Sequence, residues 1–266
     1  MQYINQQTID AVNILGDFCG KRDIEELTSS ALMDKYGISQ ADVFVLFGGS
    51  ILCGGDVLAE AIQNKVARHY IIVGGAGHTT QTLREKVHAK YPSIETEGLT
   101  EAEIFNQYLK VNYGLQADYL EMNSTNCGNN ITYLLDLIKE KHLPLHSIIL
   151  CQDATMQYRM EAGLRKYASD NVTIINYAAY QAELVLDGTG VPDFSCPIHG
   201  MWQFERYFTL LMGEIPRLSD NTEGYGPKGT GYIAHVDIPE KVMEAFQYLK
   251  ENHEEYIRKA NPEYAG

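Results

Sequence analysis

Five short runs of β-branched and aromatic residues recur along this chain: 42–47 (DVFVLF), 69–73 (HYIIV), 118–122 (DYLEM), 147–151 (SIILC) and 172–177 (VTIINY). The first four lead into polar or glycine-rich turns. Helical patterns lie between and after the runs, at 57–68, 82–91, 100–113, 129–141 and 156–167. The runs are continuous rather than alternating, which is how strands covered on both faces read. Strand followed by helix, repeated in this way, predicts a parallel sheet with helices on both faces. The expected fold is therefore α/β, a Rossmann-like doubly wound, mainly parallel sheet over residues 41–180. Residues 1–40 read as an N-terminal helical segment, with Ile4, Ile9, Val12, Ile14, Leu15 and Phe18 along one helix face. Residues 181–266 read as a small, mostly helical C-terminal cap: an amphipathic helix at 202–212, a Gly-rich loop at 221–231 and a charged helix at 240–259. A length of 266 residues fits one α/β domain plus such a cap.

Charge removes some classes of partner. Thirty-five acidic against 21 basic residues give a formal net charge of -14, which repels phosphate backbones and anionic lipid surfaces. No nucleic-acid or membrane partner is expected, while a small-molecule ligand bound by local backbone donors is compatible with the charge. No basic segment followed by an apolar run marks a signal peptide, and no apolar stretch reaches the length of a bilayer span. The five cysteines are scattered and odd in number, as in a reduced protein, so a cytoplasmic location is expected. Nothing in the spacing specifies an oligomeric state.

In open parallel sheets ligands sit outside the carboxyl ends of the strands, so the residues following each run are the candidates. Gly48, Gly49 and Ser50 follow the first run, and Gly74, Gly75, Gly77 and His78 follow the second. Glycine lets a backbone approach a ligand or simply permits a tight turn; His78 serves as a proton carrier or a plain loop residue. Asn123, Thr125, Asn126 and Asn130 follow the third run. Their side chains suit ribose or sugar hydroxyls, and the same residue types cap helices. Asp153, Thr155 and Arg159 follow the fourth, Asp153 as a base or hydroxyl ligand and Arg159 as an anion clamp or a partner of Asp153. Glu101 is a first-turn helix acid or a ligand contact. Asp153, Glu101 and His78 are the candidate catalytic residues.

Other patterns carry less. The sequence G-x-G-x-x-G at 224–229 follows no strand and opens no helix, so it is not a dinucleotide fingerprint; Tyr225, Lys228 and His235 make it a candidate lid. The pair His142 and His146 is interrupted by Pro144, and no cysteine cluster or H-E-x-x-H occurs, so no structural or catalytic metal is expected. A G-x-S-x-G nucleophile elbow is absent.

A family resemblance rests on Leu46-Phe47-Gly48-Gly49, Gly74-Gly75-x-Gly77-His78, Glu101, Ser124-Thr125-Asn126-Cys127-Gly128 and Gln152-Asp153-x-Thr155-Met156-Gln157. It continues through Glu205-Arg206-Tyr207, Gly213-Glu214-x-Pro216-Arg217-Leu218, Gly224-Tyr225-Gly226-Pro227 and His235-Val236-Asp237-Ile238-Pro239. With these the chain resembles the YdcF-like branch of the bacterial SanA/ElyC/YdcF family over nearly its whole length. The resemblance implies a Rossmann-like domain with a small helical C-terminal part, and an association with S-adenosylmethionine or nucleotide-like ligands. No acid precedes Gly75 where the methyltransferase glycine motif has one, which argues against methyl transfer.

The leading expectation is a protein, binder or enzyme, for a nucleotide-like small molecule, with S-adenosylmethionine first among cofactors, held at the carboxyl edge of the sheet. The alternative is a hydrolase or transferase acting on a phosphorylated or glycosylated small molecule through Asp153, Glu101 and His78. A non-enzymatic reading makes Trp202, Phe204, Tyr207, Phe208 and Tyr232 an interaction surface, against the simpler reading that they pack the cap.

Overall fold

A computed structural model describes residues 4–49, 51–77 and 80–257. The chain divides into two compact units, each discontinuous in sequence. One, the sheet unit, comprises Arg22–Asp153 and Tyr167–Ala179; the other, the helical unit, comprises residues up to Lys21, Ala154–Lys166 and those from Tyr180 onward.

The sheet unit is built on the five apolar runs. Strands β1 (Ala41–Phe47), β2 (Ala67–Val73), β3 (Tyr119–Glu121), β4 (Ser147–Cys151) and β5 (Thr173–Asn176) form one all-parallel sheet in the order β3-β2-β1-β4-β5. Every residue of β1 and of β4 is buried, as continuous apolar runs require. Helices α2 (Ser29–Tyr36), α3 (Cys53–Gln63), α4 (Thr80–Lys90), α5 (Glu101–Tyr113) and α6 (Cys127–Glu140) complete the unit. This is the Rossmann-like doubly wound α/β fold. The chain moves outward from β1 to β2 to β3, then crosses back through α6 to place β4 on the opposite side of β1. That reversal puts the topological switch point between the carboxyl ends of β1 and β4.

At the opposite edge, Asp42 and Ser147 join the starts of β1 and β4. Asp42 Oδ2 accepts from the His146 and Ser147 amides at 2.7 and 3.3 Å, and Ser147 Oγ accepts from the Asp42 amide at 3.0 Å. Burial pushes the Asp42 carboxyl up, but these amide bonds outweigh it and the net effect is downward.

The helix after β1 differs from its sequence reading at both ends. It begins at Cys53 because Gly54 and Gly55 are helical, although glycine lowers helix propensity. A Cβ on Gly55 would lie 2.7 Å from the Tyr108 ring, so glycine lets α3 approach α5. It ends at Gln63 because Lys65 turns left-handed at φ 54, and β2 starts two residues later. Strand β3 holds only three of the five expected residues.

The helical unit contains α1 (Gln6–Cys19), most of α7 (Gln157–Tyr167), a hairpin of β6 (Leu184–Leu186) and β7 (Pro192–Phe194), then α8 (Phe204–Leu218), α9 (Glu240–Asn252) and a 3-10 turn at Glu254–Tyr256. Helix α8 runs six residues beyond the expected 212, through Pro216. Pro216 falls in the last turn, where its missing amide removes one bond only, and the Arg217 guanidinium donates to the Gly213 carbonyl. Tyr207 and Phe208 are buried inside this unit, with Phe208 stacked on Tyr256 at 4.3 Å. They are packing residues; of the five aromatics considered as an interaction surface, Tyr232 is exposed. Among the described residues, no helix is long and apolar enough to cross a membrane.

Candidate functional site

A crevice opens at the switch point. Gly49, Ile51 and Gly54 line it from the β1 side, Gln152 and Asp153 from the β4 side, and Phe105 of α5 from a third direction. Its volume is ≈ 200 Å³, open mouth included. Asp153 is the only charged group among its described lining residues. The Asp153 amide donates to Gln152 Oε1 at 2.6 Å, and the Gln152 carbonyl accepts from the Ala179 amide at 2.8 Å, so the bonding between β4 and β5 continues past the strand ends and fixes the backbone next to the buried Asp153.

Next to the crevice stands Glu101. A capping box places it: Thr100 Oγ1 accepts from the Glu103 amide at 3.3 Å, and Glu103 Oε2 accepts from the Thr100 amide at 2.8 Å. The helix start is thereby fixed with Glu101 as its first residue. Its amide donates to the Gly75 carbonyl at 3.0 Å, and its Oε1 accepts from the Thr80 hydroxyl at 2.9 Å. The Glu101 side chain is buried between the carboxyl ends of β1 and β2.

The glycines of the two loops are explained by what approaches them. A Cβ on Gly48 would sit 2.7 Å from Glu101 Oε2, and one on Gly74 would sit 2.9 Å from Glu101 Cβ. A Cβ on Gly75 would lie 2.1 Å from the Ser124 carbonyl oxygen. The close approach that the glycines announce is thus made by Glu101 and by the 122–124 backbone. Gly49 has ordinary room, its nearest neighbour being Gln152 Oε1 at 3.6 Å from a Cβ, and it faces the crevice. Gly77 donates to Thr80 Oγ1 at 2.7 Å.

After β3, Asn126 caps α6, its Oδ1 accepting from the Asn129 amide at 2.9 Å. Asn130 lies in the first turn of that helix, with its amide bonded to the Asn126 carbonyl. Asn123 and Thr125 are exposed on the loop. The acid ending β3, Glu121, did not stand out in the sequence. It is buried, and its Oε1 accepts from the Asn123 and Ser124 amides at 2.6 and 3.1 Å, while Oε2 is buried with no hydrogen-bond partner among the described residues. Ser124 Oγ in turn accepts from the Gly75 amide at 3.2 Å, tying the β3 loop to the β2 loop. The only sequence signal for Glu121 was an acid at the carboxyl end of an otherwise apolar run.

Thr155, Arg159 and Tyr225 belong to the helical unit. Thr155 is buried there. Arg159 pairs with Glu214, at 2.5 Å from Nε and 3.1 Å from Nη2. Tyr225 packs edge-on against Tyr232 at 5.3 Å, with Arg217 over its ring. The 224–229 loop closes on itself: a Cβ on Gly224 would lie 1.8 Å from the Ser219 carbonyl oxygen, and a Cβ on Gly229 2.1 Å from that of Gly224. Ser50 and His78 lie outside the described residues.

The thiols near the crevice are not nucleophiles. Burial raises Cys53 well above the ordinary thiol range, reinforced by Cys151 and Asp153, and burial pushes Cys151 up to about 12. The carboxyl edge therefore offers carboxylates: Asp153 after β4, Glu101 between β1 and β2, and Glu121 at the end of β3. Among the described residues, no group of three or more His, Cys, Asp or Glu is arranged to hold a metal ion. Fold and site together define a doubly wound α/β protein with an acid-lined switch-point crevice. No protein-family profile matches the chain.

Proposed function

We propose that this protein binds a nucleotide-like small molecule at the carboxyl edge of its sheet, with S-adenosylmethionine the leading candidate. The observation that carries this reading is the sign of the site. Asp153 is the one charged described residue lining the crevice, and the buried acids Glu101, opening α5, and Glu121, ending β3, stand at the same edge of the sheet. Carboxylates in such a place repel the phosphates of ATP or NAD and attract hydroxyls, an ammonium or a sulfonium. S-adenosylmethionine offers all three groups and no phosphate. The resemblance to the SanA/ElyC/YdcF family supports the same class of ligand.

Calorimetric titration with S-adenosylmethionine, ATP and NAD tests the reading. Saturable heat with S-adenosylmethionine alone, weakened about tenfold by Asp153→Asn, is expected, on the scale of one charge-assisted hydrogen bond. Absence of heat at millimolar S-adenosylmethionine, or tighter binding of ATP, overturns it.

A second reading rests on the same buried acids. Asp153 and Glu101 would serve as an acid–base pair of a hydrolase or transferase, and the site's negative sign favours a glycosylated over a phosphorylated substrate. Turnover in a glycosidase panel that survives both Asp153→Asn and Glu101→Gln would remove it.

A further inference from the structure

The geometry points to Glu121 as a binding residue for a ligand diol, deepening the reading above, on which it rests. Glu121 is 5% exposed, and its two carboxylate oxygens are treated differently by the fold. Oε1 is held by the Asn123 and Ser124 amides at 2.6 and 3.1 Å. Two backbone donors on one oxygen fix the plane of the carboxylate. Oε2 is out of contact with solvent and has no hydrogen-bond donor among the described residues. A buried polar atom without a partner is rare in a folded protein, and rarer for a carboxylate oxygen with acceptor capacity to spare. Two amides hold the carboxylate so that its other oxygen is an acceptor for which the described residues supply no donor.

The chemistry of the missing donor follows from the surroundings. Glu121 ends β3 at the carboxyl edge, where ligands of such sheets bind, and its loop is tied through Ser124 Oγ to Gly75 of the neighbouring loop. The residues that follow it, Asn123, Ser124, Thr125 and Asn126, are neutral and hydrogen-bonding. A hydroxyl enters a buried, neutral polar setting at a lower desolvation cost than an ammonium does. One carboxylate oxygen has lone pairs for two hydroxyls, so a vicinal diol, such as the ribose of an adenosyl group, matches it. Asn123 and Thr125 are exposed beside Glu121, so the carboxylate lies one layer below the surface and the loop must part to admit the diol.

The experiment compares S-adenosylmethionine with its 2′-deoxy analogue by calorimetry on the full chain, for the unaltered protein and for Glu121→Gln. The unaltered protein is expected to bind the ribo form at least tenfold more tightly. Glu121→Gln keeps an oxygen for the two amides and is expected to lose most of that preference, while its affinity for the deoxy form changes little. Binding of both ligands with equal affinity by the unaltered protein overturns the role of Glu121 and leaves the ligand class standing. So does a preference that survives intact in Glu121→Gln. Failure of the unaltered protein to bind either ligand overturns the ligand class and this inference together. The comparison within the unaltered protein does not depend on the variant folding.

Discussion

The carboxylate of Glu101 fills the space where a side chain on Gly48 would begin: a Cβ there would meet Glu101 Oε2 at 2.7 Å and Glu101 Cβ at 2.8 Å. The end of β1 and the start of α5 are therefore fitted to each other, and the acid beside the crevice is held by steric exclusion as well as by Thr80. Gly48→Ala is expected to destabilise by about 1–3 kcal/mol, the usual cost of overpacking a filled site. The cost should be smaller in a Glu101→Gly background, which removes both contacting atoms and leaves the Val73 carbonyl at 3.2 Å as the remaining tight neighbour. Urea denaturation of the two single variants and the double variant measures this coupling. Strict additivity would show that the two residues do not constrain each other.

Arg159 and Glu214 form a buried ion pair in the helical unit, with side chains 10% and 1% exposed. Its Nε–Oε2 and Nη2–Oε1 distances, 2.5 and 3.1 Å, make it bidentate. Glu214→Ala should cost about 3–5 kcal/mol, because it removes the bidentate carboxylate from a largely buried guanidinium. Replacing both partners, Arg159→Met with Glu214→Leu, should cost less than that single change, since no charge then remains to be compensated. A double replacement as damaging as Glu214→Ala would mean that packing volume, not charge, governs the site.

The strands were readable because full burial of a parallel sheet demands unbroken apolar runs, and β1 and β4 carry them. A helix cap at Ser124, Thr125 or Asn126 was readable for a local reason, since capping residue types leave their mark in the sequence, while only the coordinates select Asn126. Gly54 and Gly55 hid the start of α3, because glycine reads as a turn while here it admits Tyr108. The loop glycines announced a close approach but not by what, and Gly48, Gly74 and Gly75 face protein atoms. Glu121 was lost inside a strand-like run, since its significance is an unpaired oxygen and only coordinates show pairing. The partner of Arg159 lies 55 residues away, a distance at which spacing carries no information.

The five cysteines should fall into two reactivity classes. Cys196 is exposed and Cys127 half-buried, whereas Cys19, Cys53 and Cys151 are buried. Burial raises all three buried thiols, Cys19 further through Glu214 and Cys53 further through Cys151 and Asp153. Thiolate, not thiol, attacks a disulfide reagent, so these three should stay unlabelled until the protein is denatured. In a native thiol titration Cys196 reacts first and Cys127 follows. Rapid labelling of Cys53 in the native protein would contradict the packing at the start of α3.

His235 should titrate above the ordinary histidine value and carry a pH dependence with it. Its Nδ1 lies 2.7 Å from Asp220 Oδ2 and its Nε2 2.9 Å from Asp237 Oδ1. Both nitrogens donate only when the ring is protonated, so the Asp237 bond first, and the Asp220 bond with it, raise its pKa from 6.5. Asp220 is held below 3.8, chiefly by the Lys228 amide and despite some desolvation, with His235 adding to the effect. A raised histidine contributes its stability in full below its unfolded value and loses it as pH climbs through the folded one; a depressed aspartate contributes above its unfolded value and loses it on acidification. The fold around the 220–237 segment is therefore held best between 3.8 and 6.5. The ring is half exposed, so solvent screens the effect and the titration itself is the sensitive readout. Proton NMR of the ring should give a midpoint above 6.5 in the unaltered protein, falling toward 6.5 in Asp237→Asn and in Asp220→Asn. A midpoint at or below 6.5 before any substitution would mean that the two carboxylates do not hold the ring in solution.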